Sequence, residues 1–178
     1  VDFRDFQRVD IYDPKQNLFV DEKGESRPLG RSGGKVLIRY KPFSDMEVVM
    51  GRGGQLQSFE AVFGPRGKDG KPMPLWDRTT GVIDRKVAKT WERYDIRLIL
   101  ERNWKTLGPK LAGKIHIYMG AADTFYLEGA TRLLQESQKG LGSDAVIEIF
   151  PGRDHGNLLD AALRKRIASE MAQKVRGQ

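Results

Sequence analysis

The chain has no cysteine. Disulfides, thiolate nucleophiles and cysteine-ligated metals are therefore excluded, and the redox compartment is left open. Histidine is scarce too: His116 and His155 are the two in 178 residues, and they give no metal-ligand spacing. There is no apolar run of about eighteen residues, so no spanning helix is expected. The N-terminus lacks a basic segment followed by an apolar core and a small-residue cleavage site. It opens on Val1 rather than Met, and Val1 to Arg8 reads as the middle of a polypeptide. A larger parent is expected, with any address signal upstream of Val1 and localisation otherwise undetermined. No G-K-[ST] or G-x-G-x-x-G occurs, so Gly51, Gly53 and Gly54 read as a turn rather than a phosphate loop. No cofactor is implied.

What is present is enough for one domain. The length of 178 residues and 39% hydrophobic content lie outside the range of disorder. The formal charge of +7 could favour an anionic partner, but the bases are scattered among acids, as in Glu92-Arg93 and Glu101-Arg102. Without a basic stripe interleaved with aromatics, a solvated basic surface is expected rather than a nucleic-acid site.

Residues 1–83 are punctuated by Asp13-Pro14, Lys23-Gly24, Pro28, Gly30 and Gly33-Gly34, and read as loops with brief strands. Lys35 to Tyr40 is β-branched and alternating, a strand, and Glu47 to Met50 is a second candidate. Gly51 to Gly81 is rich in Gly and Pro, with a strand expected only at Phe59 to Phe63. From Asp84 the pattern turns helical through Val87, Trp91, Tyr94, Ile96 and Leu100, with Asp95 as an interruption and Gly108-Pro109 as the end. Next come a strand at Lys114 to Met119, a tight turn at Gly120 to Asp123, and a helix buried through Leu127, Ala130, Leu133 and Leu134. Gly140 and Gly142 stop that helix. A strand follows at Ala145 to Phe150, broken by Pro151-Gly152, and Asn157 to Arg176 is an amphipathic helix striped by Leu159, Leu163, Ile167, Met171 and Val175. Residues 84–178 thus run helix, strand, helix, strand, helix. That order predicts an α/β domain with a mostly parallel sheet flanked by helices.

In parallel sheets, functional groups gather in loops beyond the carboxyl ends of the strands. Asp123 and His155 each lie a few residues past such an end, and strands about 5 Å apart would bring the loops together. A carboxylate there can accept the Nδ1 proton of the imidazole, fix its tautomer and stabilise the imidazolium. Each residue also has a plainer reading. Asp123 would cap the helix that follows it. His155 would be a surface-loop histidine, and Asp154 the partner of a nearby cation. His116, inside its strand, reads as a structural histidine. Trp76, Trp91 and Trp104 read as core or sheet cover, with Trp76 alternatively at a substrate mouth.

The stretch KIHIYMGAADTFYLEGATRLLQESQKGLGSDAVIEIFPGRDHGNLLD, Lys114 to Asp160, resembles the last two strands of α/β-hydrolases, especially bacterial esterases. In that family the acid follows one strand as G-x-x-D and the histidine follows the next as G-x-x-H. Gly120 to Asp123 and Gly152 to His155 match, about thirty residues apart. Similarity extends more weakly to VDFRDFQ at the start and to Trp91 to Leu111.

The resemblance implies a partial three-layer α/β-hydrolase fold, with residues 1–178 forming a single α/β domain at the C-terminal end of a larger serine hydrolase. It implies Asp123 as triad acid, His155 as general base and then acid, and a small-molecule ester as substrate. The nucleophile of this family precedes the acid on a G-x-S-x-G elbow between a strand and a helix. Gly30-Arg31-Ser32-Gly33-Gly34 fits the letters, but a charged, Pro-containing segment precedes it and a strand follows. Ser32 is expected to be a loop serine, out of reach of His155, with nucleophile and oxyanion loop upstream. The chain alone would then be inactive, and a sheet lacking its early strands would pair with a second copy or with the missing N-terminal portion. The rival is a non-catalytic α/β domain for interaction or ligand binding, with Asp123 and His155 apart or structural.

Overall fold

A computed structural model describes residues 2–51 and 53–176. The described residues form six α-helices and two small two-stranded sheets, a mixed α/β architecture without an extended parallel sheet. Strands β1 (Pro28–Ser32) and β2 (Lys35–Arg39) make an antiparallel hairpin. Its two-residue turn, Gly33-Gly34, has both φ values positive, the geometry that matches strand twist and that glycine adopts without steric cost. Helices α1 (Tyr40–Met50), α2 (Gln55–Phe63), α3 (Arg85–Trp91) and α4 (Ile96–Leu111) follow. The C-terminal part is β3 (His116–Gly120), α5 (Leu127–Gly140), β4 (Val146–Phe150) and α6 (Ala161–Arg176).

The parallel pair β3–β4 matches the sequence pattern, and so does the helical break at Asp95, which caps α4 by accepting from Leu98 N at 3.2 Å. Two expected strands are helices instead. Glu47 to Met50 closes α1, whose buried positions Tyr40, Ser44 and Glu47 recur at helical spacing. The buried Glu47 carboxylate accepts from Leu56 N at 2.8 Å and Gln57 N at 3.2 Å, capping α2 from a neighbouring helix. Phe59 to Phe63 lies in α2, where Leu56, Phe59 and Phe63 share one face and Phe59 and Phe63 line an aromatic cluster with Phe3, Phe6 and Trp91. Among the described residues, 40–83 hold no strand, and the expected mostly parallel sheet is the single pair β3–β4. Pro109 also sits inside α4, which runs on to Leu111 rather than ending at Gly108.

The main core lies in the loop-rich half. Phe3, Phe6, Val9, Ile11, Leu18, Leu75, Trp76 and Trp91 are buried there together. Trp76 is therefore core and not a substrate mouth. Helix α6 begins at Ala161, four residues later than its apolar pattern, because Asp160 caps it through Leu163 N at 2.9 Å. Its stripe is only partly used: Leu163 is buried, whereas Met171 and Val175 are 66% and 76% exposed. Strands β3 and β4 pair with one another alone among the described residues, so no strand covers either outer edge. No helix among these residues is long and apolar enough to cross a membrane.

Candidate functional site

The loops after β3 and β4 meet because their strands are parallel neighbours in unshifted register, ending at Gly120 opposite Phe150. Ala121 N donates to Phe150 O at 2.9 Å and Ala122 N to Arg153 O at 2.9 Å, so the ladder continues past the strands into the loops. The two glycines of the paired motifs have separate physical causes. A side chain at Gly120 would overlap the Arg153 carbonyl, the point where the second loop crosses the first. Gly152 has φ +70°, a left-handed turn that lets the chain reverse into the histidine loop. Asp154 shapes that loop: its carboxylate accepts from Gly156 N at 2.9 Å and Asn157 N at 3.0 Å. It therefore builds a turn instead of pairing with a cation.

Asp123 and His155 are brought together. His155 Nδ1 lies 2.8 Å from Asp123 Oδ2. The carboxylate is 3% exposed and the imidazole 53%, so the acid is buried beneath a base that faces outward. Nε2 has no hydrogen-bond partner among the described residues. Asp123 also performs the capping role expected of it, since Oδ1 accepts from Phe125 N at 2.9 Å and Leu127 N at 3.2 Å. One oxygen orders the loop and the other faces the base, so the two readings of this residue coexist. A carboxylate held in this way makes Nδ1 the protonated nitrogen and leaves the Nε2 lone pair free to accept a proton.

Other residues hold this pair without being evident from sequence. Phe125 meets the His155 ring edge-on, with centroids 5.2 Å apart. Tyr126 adopts a left-handed conformation, φ +59°, costly for a side chain of its size and placed one turn from the acid. Its ring lies beneath the Arg31 guanidinium at 4.4 Å and also faces Arg8 at 5.1 Å. Arg31 donates from Nε to Asp123 O at 3.0 Å and from its backbone N to Thr124 O at 2.8 Å, and pairs with Glu128 at 2.5 Å. The G-x-S-x-G-like segment thus contributes Arg31 to the acid loop. Ser32, its neighbour, is exposed at the hairpin end, and no hydrogen bond joins its hydroxyl to the imidazole. An arginine followed by a tight glycine turn was the only signal, and it carries no address in a linear sequence.

His116 stands apart from this site. Its Nδ1 is 3.0 Å from Glu170 on α6, which also accepts from Tyr118 OH at 2.5 Å and Arg166 Nε at 2.7 Å. The Tyr118 hydroxyl and Arg166 hold the Glu170 carboxyl down to about 2. This network docks α6 on the sheet, in keeping with a structural histidine.

No protein-family model, curated protein or solved structure matches the chain.

Proposed function

We propose that residues 1–178 supply the acid and base of a serine hydrolase that acts on a small ester through an acyl-enzyme. The single observation that carries this is the 2.8 Å contact of His155 Nδ1 with the buried Asp123 carboxylate, on adjacent loops beyond the carboxyl ends of two parallel strands. The fold reading that goes with it is a partial three-layer α/β-hydrolase of bacterial esterase type, in which β3 and β4 are the last strands and the free edge of β3 continues into strands outside the chain. The pairing partner at that edge is the N-terminal portion of the same hydrolase or, failing that, a second copy.

In the mechanism, a serine from outside these residues gives its proton to His155 Nε2 as it attacks the ester carbonyl. Asp123 holds the ring in the required tautomer and stabilises the imidazolium, and His155 returns the proton to the departing alcohol. Water then repeats the cycle on the acyl-enzyme. Arg31 and Tyr126 position Asp123 and touch no reacting atom.

The test is turnover of p-nitrophenyl butyrate by the polypeptide that joins residues 1–178 to the nucleophile. Asp123→Asn should lower kcat by roughly 10⁴-fold with the fold intact, the loss expected when a triad base is left in the wrong tautomer. Ser32→Ala should leave turnover unchanged. Loss of turnover in Ser32→Ala, or full turnover in Asp123→Asn, would overturn the proposal. The competing reading, a non-catalytic binding domain, draws on the capping role of Asp123, which by itself would explain an aspartate at this turn.

A further inference from the structure

A partly open cavity of about 140 Å³ is lined by Phe125, the residue that also packs on the imidazole. Leu29, Ile38, Phe43, Leu56 and Phe125 make its apolar wall, and Gln7 and the exposed Gln55 complete the lining. Its size is close to the roughly 150 Å³ of an apolar cavity that stays dry and admits benzene. We infer that this cavity is a subsite for one compact apolar group of the substrate, a phenyl ring or a short branched alkyl chain joined to the ester. The inference rests on the hydrolase reading of Asp123 and His155 and adds the substrate class.

Three features distinguish this cavity from a packing defect. First, the wall residue Phe125 also packs on His155 with centroids 5.2 Å apart, so the cavity and the base share one aromatic ring. Second, the cavity is lined by Gln7, which is buried, has φ +51° and is followed by Arg8 at φ +74°. Two successive left-handed residues with side chains are costly, and such strain is kept where the surroundings hold it in place. The Tyr40 hydroxyl donates to Gln7 Oε1 at 3.1 Å, which fixes the amide and leaves Nε2 as a donor with no partner among the described residues. That donor suits an oxygen next to the apolar group. Third, Ile38 and Phe43 also line a neighbouring open apolar groove with Val36, Leu37 and Met46, so apolar surface continues from the cavity toward solvent. Leu37 is 66% exposed in that groove.

The probe is benzyl alcohol, a phenyl ring with one adjacent oxygen, titrated into the 178-residue chain and followed by methyl and aromatic chemical shifts. Saturable shifts at Leu56, Ile38 and Phe125, carried through Phe125 to the His155 ring, are expected. Filling the cavity with Leu29→Phe should weaken binding at least tenfold while cooperative melting persists. Ile38→Phe, at a half-buried strand position, serves if Leu29→Phe does not fold. The larger 1-naphthalenemethanol should bind at least tenfold more weakly than benzyl alcohol. Shifts confined to the α6–β3 face, indifference to both filling variants, or tighter binding of the naphthyl probe would each overturn the subsite. The two readings fail separately. Asp123-dependent turnover without benzyl alcohol binding removes the subsite alone. Binding that obeys the filling variants, with turnover indifferent to Asp123→Asn, removes the hydrolase and leaves a ligand cavity.

Discussion

Between Phe3 and Trp91 the chain buries fifteen hydrophobic side chains in one cluster, although most of that stretch is loop. From Ile96 to Arg176 it is mostly helix and strand, yet the buried hydrophobics among the described residues are Leu100, Tyr126, Leu134, Ile147 and Leu163. In the first region, side chains do what ladders do elsewhere. The buried Asp95 carboxylate accepts from Phe3 N at 3.2 Å and Tyr12 OH at 3.1 Å. Glu60 accepts from Leu75 N at 2.7 Å, and Arg27 donates to the carbonyls of Asn17, Val20 and Arg8. Irregular backbone can thus be buried because its polar groups are satisfied one by one. In the second region the backbone is satisfied locally and burial is thin. Regular structure and a packed core are separate achievements, and here the candidate chemistry stands on the region with the weaker core.

The largest expected consequence concerns Trp91, which is fully buried against Phe3, Phe6 and Phe63. Trp91→Ala should cost about 3–5 kcal/mol of unfolding free energy in urea, against about 2 kcal/mol for Leu163→Ala on α6. Equal losses would break the contrast between the regions.

Acid should separate helix α2 from helix α6 by sign. Burial raises the carboxyls of Glu60, Asp5 and Asp10 in the first region. Groups so raised add stability below their unfolded values, and lose it as pH climbs through the raised ones. In the second region, hydrogen bonds from Tyr118 and Arg166 hold Glu170 at about 2, below its ordinary 4.5, and Arg166 lowers Glu148. Their contribution is complete above the ordinary value and is lost as pH falls toward the lowered one. Hydrogen exchange followed from about pH 5 to about pH 2 should therefore show α6 opening ahead of α2. Opening of α2 first would reverse the assignment.

Smaller effects sharpen the same picture. Asp160→Ala removes the cap on Leu163 N and the 2.7 Å pair with Arg153, and should cost about 1 kcal/mol by thermal unfolding. Met171→Ala, on the exposed part of the stripe, should stay within about 0.5 kcal/mol of the parent chain. A substantial loss at Met171 would mean that the stripe is covered in solution.

The difference between the regions also governs what could be read from sequence. Periodicity located β2, β3, β4, α5 and α6 because each is set by its own residues and neighbouring turn formers. Asp123 and His155 were legible for the same reason, since each follows a strand by a short loop. Glu47 to Met50 and Phe59 to Phe63 misled because short apolar runs suit either period, and helix won through contacts distant in sequence: Glu47 capping α2, and Phe63 packing at a tilt against Trp91. Arg31 was hidden for a similar reason. Its role depends on a hairpin folding back onto a loop 92 positions away. Apart from Trp76, Val87 and Trp91, the core of residues 3–91 was not legible, because loops carry no periodicity to mark which side chains turn inward.

The account rests on one arrangement, His155 with its Nδ1 proton on Asp123 and its Nε2 free, held by loops that a thinly packed region positions. Nitrogen-15 NMR of the neutral imidazole reads it directly. The arrangement predicts that His155 is the Nδ1-protonated tautomer, with a far-downfield Nδ1 proton that vanishes in Asp123→Asn while α5 stays folded. An Nε2-protonated ring, or an Nδ1 signal unchanged by Asp123→Asn, would contradict it.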